Sequence, residues 1–200
     1  MPKLHQAKSG SSKAFDKEAI YDELTQLPNH HLLYDRLGQE MASSKRTGRY
    51  IALMYIGLID LQPLNDRHSQ KIGDLLLIEV ANRLKDNVRE VDTVSRTSSD
   101  EFVVMLNELT REKTQSVTQT HIIAEKIRAA LTDPYPIIIR HEKTEDTIDE
   151  YSCEICMGVV VFTNDNKSKS RDDVLEWAER SMHKSKESGS SQICFSDTYA

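Results

Sequence analysis

Two short clusters hold the side chains best able to do chemistry in this 200-residue chain. The first is Arg89-Glu90-Val91-Asp92. An arginine offers a planar fork of donors suited to a phosphate or a guanine edge, and an aspartate accepts from guanine N–H groups. The string is short, so a plainer alternative stands beside it. Asp92 opens a strand, and Arg89 is a solvated charge at a helix C-terminus, where the dipole favours it. The second cluster, Arg96-Thr97-Ser98-Ser99-Asp100-Glu101-Phe102, sets two adjacent carboxylates after a pair of serines. Further on, Cys153 and Cys156 lie in an apolar, β-branched run rather than at a helix N-terminus. On a strand, positions i and i+3 face opposite ways, and no second Cys or His pair completes a zinc site. Both read as buried, unreactive thiols.

The elements that must position these groups alternate helices with strand pairs. A helical stretch is expected from about Phe15, closed by Pro28, with Asn29 capping the next helix, whose apolar face is Leu32, Leu33, Leu37 and Met41. Ile51 to Ile56 reads as a strand buried on both faces. Asp74 to Val88 is a helix presenting Leu76, Leu77, Val80, Ala81 and Leu84. Thr93–Arg96 and Phe102–Leu106 form a hairpin around Ser98-Ser99. A helix carrying Ile122, Ile123, Ile127 and Leu131 stops at Pro134 and Pro136. Residues 137–140 and 151–162 read as a second hairpin with an acidic tip. Arg171–Lys186 is the last helix and Ile193–Phe195 the last strand. An α+β fold follows, a mostly antiparallel sheet covered by helices.

Composition narrows the function classes. At 38% hydrophobic and 29% charged, the chain suits one domain with a real core. Residues 1–14 read as a flexible lead-in and 15–200 as the domain. A net charge of −6, without a basic run, argues against a nucleic-acid polymer. No apolar stretch approaches the ~18 residues of a membrane span, and the polar N-terminus lacks a signal peptide's core. With three cysteines and no disulfide framework, a cytoplasmic location is expected.

Arg96-x-x-x-Asp100-Glu101-Phe102 resembles the signature loop of the GGDEF family, whose members condense two GTP molecules into cyclic di-GMP. The two glycines of that signature are Ser98 and Ser99 here. Asp22-x-Leu24-Thr25-x-Leu27-Pro28-Asn29 is similar to the family's opening element, with Gln26 and His30 in place of its Gly and Arg. Asn65-Asp66 and Gly73-Asp74 match, although Ser69-Gln70 replaces Gly-His between them. Ala178-Glu179 and Lys186-x-x-Gly189 resemble the closing motif, whose arginine is Ser190 here. The resemblance runs from Asp22 to Phe195. It implies a nucleotidyl-cyclase-like sheet of about five strands with a ferredoxin-like core, plus a peripheral hairpin.

The resemblance also implies roles. Asn65 and Asp74 would hydrogen-bond guanine, with a cap and a turn as the structural alternative, and Lys186 would meet phosphate. Two carboxylates would hold the divalent cation that phosphoryl chemistry needs. Asp100 matches one of them. Aligned without a gap, the other is Gly57, leaving Asp100 and the Leu58 carbonyl as ligands. A three-residue deletion would instead bring in Asp60, but it would rotate the following helix and bury the wrong face. Ser98 and Ser99 are expected to strain a turn built for left-handed glycines, and Ser190 lacks the phosphate fork. Asp100 and Glu101 are then remnants of a catalytic loop. Arg89 and Asp92 fall in register with the family's product-binding site, where Arg111, Lys126 or Arg128 would supply a further cation. The expected function is a catalytically inactive cyclic di-GMP receptor. Alternatives are a scaffold regulating a protein partner or pairing with itself, a GTP-binding effector domain, or a residual cyclase using Asp60. Mg²⁺ is expected only if GTP binds.

Overall fold

The computed structural model describes residues 20–59, 61, 70–139, 147–164, 169–188 and 191–196. The elements are α1 (His30–Thr47), β1 (Ile51–Ile59), α2 (Gln70–Asp86), β2 (Thr93–Arg96), β3 (Glu101–Leu106), α3 (Lys113–Thr132), β4 (Tyr135–Ile139), β5 (Thr147–Tyr151), β6 (Glu154–Phe162), α4 (Arg171–Ser188) and β7 (Gln192–Phe195). Five strands form one sheet in the order β2-β3-β1-β6-β7, antiparallel except where β7 runs parallel to β6. β4 and β5 make a separate two-stranded hairpin.

β1 lies at the centre and is buried on both faces, which its unbroken apolar run requires. Ala52, Met54, Ile56 and Leu58 point to one core with Leu76, Val80 and Leu84 of α2 and Ile127 and Leu131 of α3. Ile51, Leu53 and Tyr55 point to the other, with Leu33, Leu37 and Met41 of α1 and Val174, Ala178 and Met182 of α4. The sheet is thus a middle layer between two helix pairs. β6 shows the same alternation. Ile155 and Met157 join the first core, while Cys156 joins the second. Cys153, just ahead of β6, lies in the first core, so the two thiols do face opposite ways.

Local chemistry sets the ends of α1. The Asn29 side chain accepts from the amides of His31 and Leu32, and left-handed Gly48 returns its amide to the Ser44 carbonyl. At the end of α3, the Arg83 guanidinium donates to the carbonyls of Ala130, Asp133 and Pro134 while stacking 3.8 Å above the Tyr135 ring.

Four expectations are corrected. Residues 20–28 do not close a helix. The Asp22 carboxylate takes the Thr25 amide and hydroxyl, and Asp22 and Leu27 bond across the loop, so side chain–backbone bonds win over helix continuation. The earlier part of that expected helix, 15–19, lies outside the described residues. α2 is already formed at Gln70, which makes Asp74 an interior residue rather than a cap. The strand that pairs with β4 is β5, Thr147–Tyr151, most of which was expected in the hairpin tip; of the run 151–162 only Tyr151 belongs to it, and after Ser152-Cys153 the rest, β6, enters the central sheet. Ile122 is exposed, because α3 turns Thr120, Ala124 and Ile127 inward instead.

Candidate functional site

The 97–100 loop joins two strands locked to their neighbours. Thr97 donates its amide to the Glu101 carbonyl, and Leu58 of β1 donates to the Asp100 carbonyl. Arg96 anchors the loop from below. One nitrogen of its fork bonds both Asp22 carboxylate oxygens at 3.1 and 3.2 Å, and the other reaches the Ser99 carbonyl at 2.7 Å. Burial alone would raise the Asp22 carboxyl. Bonds from Thr25 and the Arg96 guanidinium outweigh it and hold the group below its ordinary range.

Ser98 and Ser99 are not left-handed, contrary to expectation. Among the described residues, the non-glycine positions at positive φ are Gln26, Glu108 and Ser191. The loop turns through ordinary backbone instead, and the hydroxyls take up the acids. Ser98 Oγ donates to Glu101 Oε2 at 2.9 Å, and Ser99 Oγ donates to Asp100 Oδ1 at 2.7 Å. The Tyr55 hydroxyl reaches the same Glu101 oxygen at 3.2 Å. Burial, aided by the Glu101 charge, pushes the Tyr55 phenol up to about 12, so it remains a donor.

Gly57 lies directly across from Glu101 on one side and Cys156 on the other. A β-carbon there would stand 2.9 Å from Cys156 Sγ and 3.0 Å from Met182 Sδ. The space a longer side chain would enter is therefore filled by two sulfur-bearing groups. Burial raises the Cys156 thiol pKa, with Lys186 opposing, so the thiol stays neutral and donates towards the Gly57 carbonyl at 3.4 Å. Among the described residues a divalent cation finds a poor fit here, because Gly57 brings no oxygen side chain and leaves the Asp100 and Glu101 carboxylates, which accept one and two hydroxyls, as the acids beside it. Among the described residues no group of three or more His, Cys, Asp and Glu is placed to hold a metal.

The other expected nucleotide residues are only partly placed. Asp74 is half-buried in the second turn of α2, and Lys186 is exposed in the last turn of α4. Asp60, Asn65 and Ser190 lie outside the described residues.

Arg89 and Asp92 meet, but not as a pair of ligand-facing groups. The Asp92 side chain is only 1% exposed. Its Oδ2 accepts from the backbone amide and Nε of Arg89 at 3.0 and 3.1 Å. Its Oδ1 accepts from an Arg89 terminal nitrogen at 2.9 Å and from the Asn107 amide at 3.0 Å. With four donors in place, the carboxylate has no ordinary lone pair left for guanine. Its work is to hold Arg89, whose side chain is 54% exposed, and its bonds raise the Arg89 pKa further. Arg89 lines an open groove of about 230 Å³ together with Gln26, Arg36, Lys85 and Glu90, floored by Leu27 and Val94. None of Arg111, Lys126 and Arg128 lines it. Arg111 borders a different groove with Lys45 and Tyr50, and Arg128 pairs with Glu125 on α3. Arg36 and Lys85 were missed by sequence reasoning. Lys85 lies one turn before Arg89 and was open to notice, while Arg36 arrives from α1 through tertiary structure alone.

Solved structures share this architecture. The GGDEF domain of TpbB (YfiN) from Pseudomonas aeruginosa superposes with a TM-score of 0.75 at 24% identity, over 88% of this chain and 94% of that one. The GGDEF domain of DgcB from Caulobacter crescentus, solved in complex with c-di-GMP, gives 0.74 at 20% identity, over 90% and 97%. The family described as "Diguanylate cyclase, GGDEF domain" matches residues 19–192, and the chain belongs to that family. Over 177 residues it is 34% identical to the bifunctional diguanylate cyclase/cyclic di-GMP phosphodiesterase MucR of P. aeruginosa. That alignment covers 88% of this chain and 23% of MucR, and the match to the diguanylate cyclase DgcP of the same organism, 27% identical, covers 88% and 24%. The chain thus spans about a quarter of these two relatives.

Proposed function

We propose that this chain is a catalytically inactive GGDEF domain acting in cyclic di-GMP signalling, as a receptor that binds the dinucleotide through Arg89. The observation that carries the first half is the filled space at Gly57. Joining two triphosphates needs a cation to neutralise phosphate charge, and such cations are held by carboxylates. If Gly57 stands at the position of the family's first metal carboxylate, Cys156 and Met182 crowd the space into which that side chain would project. Ser98 and Ser99 engage the remaining acids. On this reading Mg²⁺ is no resident cofactor and would enter only alongside GTP.

The second half rests on Arg89. Asp92 and the Asn107 carbonyl pin one edge of its guanidinium, leaving half the side chain in solvent beside two further cations. A pre-positioned fork loses little entropy on binding and suits a phosphate or a guanine edge. The test is a calorimetric titration of the purified, nucleotide-stripped protein with cyclic di-GMP, with Arg89→Ala and Arg89→Lys alongside and their folding checked by circular dichroism. Micromolar or tighter binding, lost in both folded variants, is expected. No binding by wild type would refute the receptor reading, equal binding by Arg89→Ala and Arg89→Lys would refute the role given to Arg89, and cyclic di-GMP formed from GTP with Mg²⁺ or Mn²⁺ would refute the inactive one.

A further inference from the structure

Gln26 is exposed, yet its backbone is held at φ +56°, a left-handed conformation that an L-residue adopts at a cost glycine avoids. Such strain persists where the surroundings impose it, and it clusters at binding sites. The side chain is not idle. Its amide nitrogen donates to the Glu23 carbonyl at 2.7 Å and to the Asp22 carbonyl at 3.4 Å. Only the NH₂ end can face two carbonyls, so the amide is oriented without ambiguity. Among the described residues no donor reaches its Oε1. Gln26 also lines the groove that holds Arg36, Lys85 and Arg89.

That groove is rich in donors and short of acceptors. Both Asp92 oxygens are spent inside the protein. Besides Asp92, the side-chain acceptors on its wall are the Gln26 amide, the Glu90 carboxylate and the Tyr21 hydroxyl, and of these the Gln26 amide is the one whose orientation is fixed by two carbonyls with its oxygen left over. A guanine edge presents N1–H and N2–H and needs an acceptor, whereas two phosphates need cations.

We propose that Gln26 Oε1 reads a guanine of the bound cyclic dinucleotide, and that Arg36 and Lys85 join Arg89 in holding its phosphates. The proposal rests on the receptor reading and names what gives that site its base selectivity. Arg36 comes from α1, where its present bond is to the Thr93 hydroxyl at 3.3 Å, and Lys85 comes from the last turn of α2. Three elements thus converge on one ligand.

The experiment is a titration of wild type, Gln26→Gly, Gln26→Ala and Lys85→Ala with cyclic di-GMP and with cyclic di-AMP, at several salt concentrations, with melting temperatures recorded. Gln26→Gly relieves the strained backbone, so its melting temperature is expected to rise while its Kd for cyclic di-GMP weakens about tenfold and its preference over cyclic di-AMP shrinks. A purely structural role would move stability and affinity together. Lys85→Ala is expected to weaken both ligands and flatten the salt dependence, as loss of a phosphate contact does. If Gln26→Gly and Gln26→Ala bind cyclic di-GMP as tightly as wild type, the guanine reader is overturned. An unchanged salt slope in Lys85→Ala overturns the phosphate assignment. If wild type binds and Arg89→Lys does not, while the Gln26 and Lys85 variants match wild type, this inference fails and the receptor reading stands. If wild type binds nothing, both fall together.

Discussion

Replacing Gly57 by alanine sets two opposing effects against each other. Glycine inside a strand costs about 0.5–1 kcal/mol relative to alanine, so in open space Gly57→Ala would stabilise the protein. The space is not open. The new methyl would meet Cys156 Sγ at 2.9 Å and Met182 Sδ at 3.0 Å, where contact distances for such atoms begin near 3.5 Å. Met182 is flexible enough to give way. Cys156 is not, because it sits on β6 directly opposite Gly57, with its thiol against the Gly57 carbonyl. Overpacking of this kind costs about 1–3 kcal/mol, so the net expectation is a loss of about 1–2 kcal/mol. In urea denaturation the midpoint should fall with an unchanged slope, and the melting temperature should drop by roughly 2–8 °C. Combining Gly57→Ala with Cys156→Ala should cost less than the sum of the two, by about 1 kcal/mol, since each relieves the other. An alanine at 57 that leaves stability unchanged or raised would refute the filled-space argument and reopen the cation question. Gly57→Asp gives the functional counterpart. Alone it should not confer Mn²⁺-dependent turnover of GTP, and activity appearing in that single variant would refute the same reasoning.

Three further outcomes are expected. Because folding lowers the Asp22 carboxyl pKa from its ordinary 3.8, the group adds stability above that value and loses it as pH falls through its folded pKa. Urea midpoints measured between about pH 5 and pH 2 should therefore fall less steeply in Asp22→Asn than in wild type, and parallel curves would contradict this. Arg83→Met would strip donors from the Ala130, Asp133 and Pro134 carbonyls. The expected loss is about 2 kcal/mol, or roughly 4–8 °C in calorimetry, and an unchanged melting temperature would count against the capping role. Asp92→Ala would leave the Arg89 and Asn107 amides without their acceptor. About 3 kcal/mol should be lost in denaturant titration, and a loss below about 1 kcal/mol would mean that the carboxylate is free for ligand after all.

Much of the fold was legible because local rules bind tightly. Asn29 and the Leu33, Leu37, Met41 spacing specify α1, since a cap and a 3.6-residue period need no distant partner. The double-sided burial of β1 follows from its unbroken apolar run, and the pleat of β6 turns Cys156 to the second core while Cys153 reaches the first from just ahead of that strand. One error lay at 147–162, where β5 carries the exposed Asp149 and Glu150 and reads as a hairpin tip although it pairs with β4, while the apolar β6 enters the central sheet.

The candidate site divides along the same line. Sequence by itself determined which groups are present: a glycine at 57, serines at 98 and 99 ahead of Asp100 and Glu101, and an Arg-x-x-Asp string. Tertiary structure alone decided what those groups do. Ser98 and Ser99 avoid left-handed backbone and bond the acids, because the hairpin's turn geometry is set by its flanking strands. Asp92 becomes a buried strut because β3 delivers the Asn107 amide to it. Met182 fills the space at Gly57, and Arg36 meets Lys85 and Arg89, because packing joins helices far apart in the chain. Local spacing encodes neighbours along the chain, whereas a site is made of neighbours in space, and only the packed sheet with its two helix layers defines those.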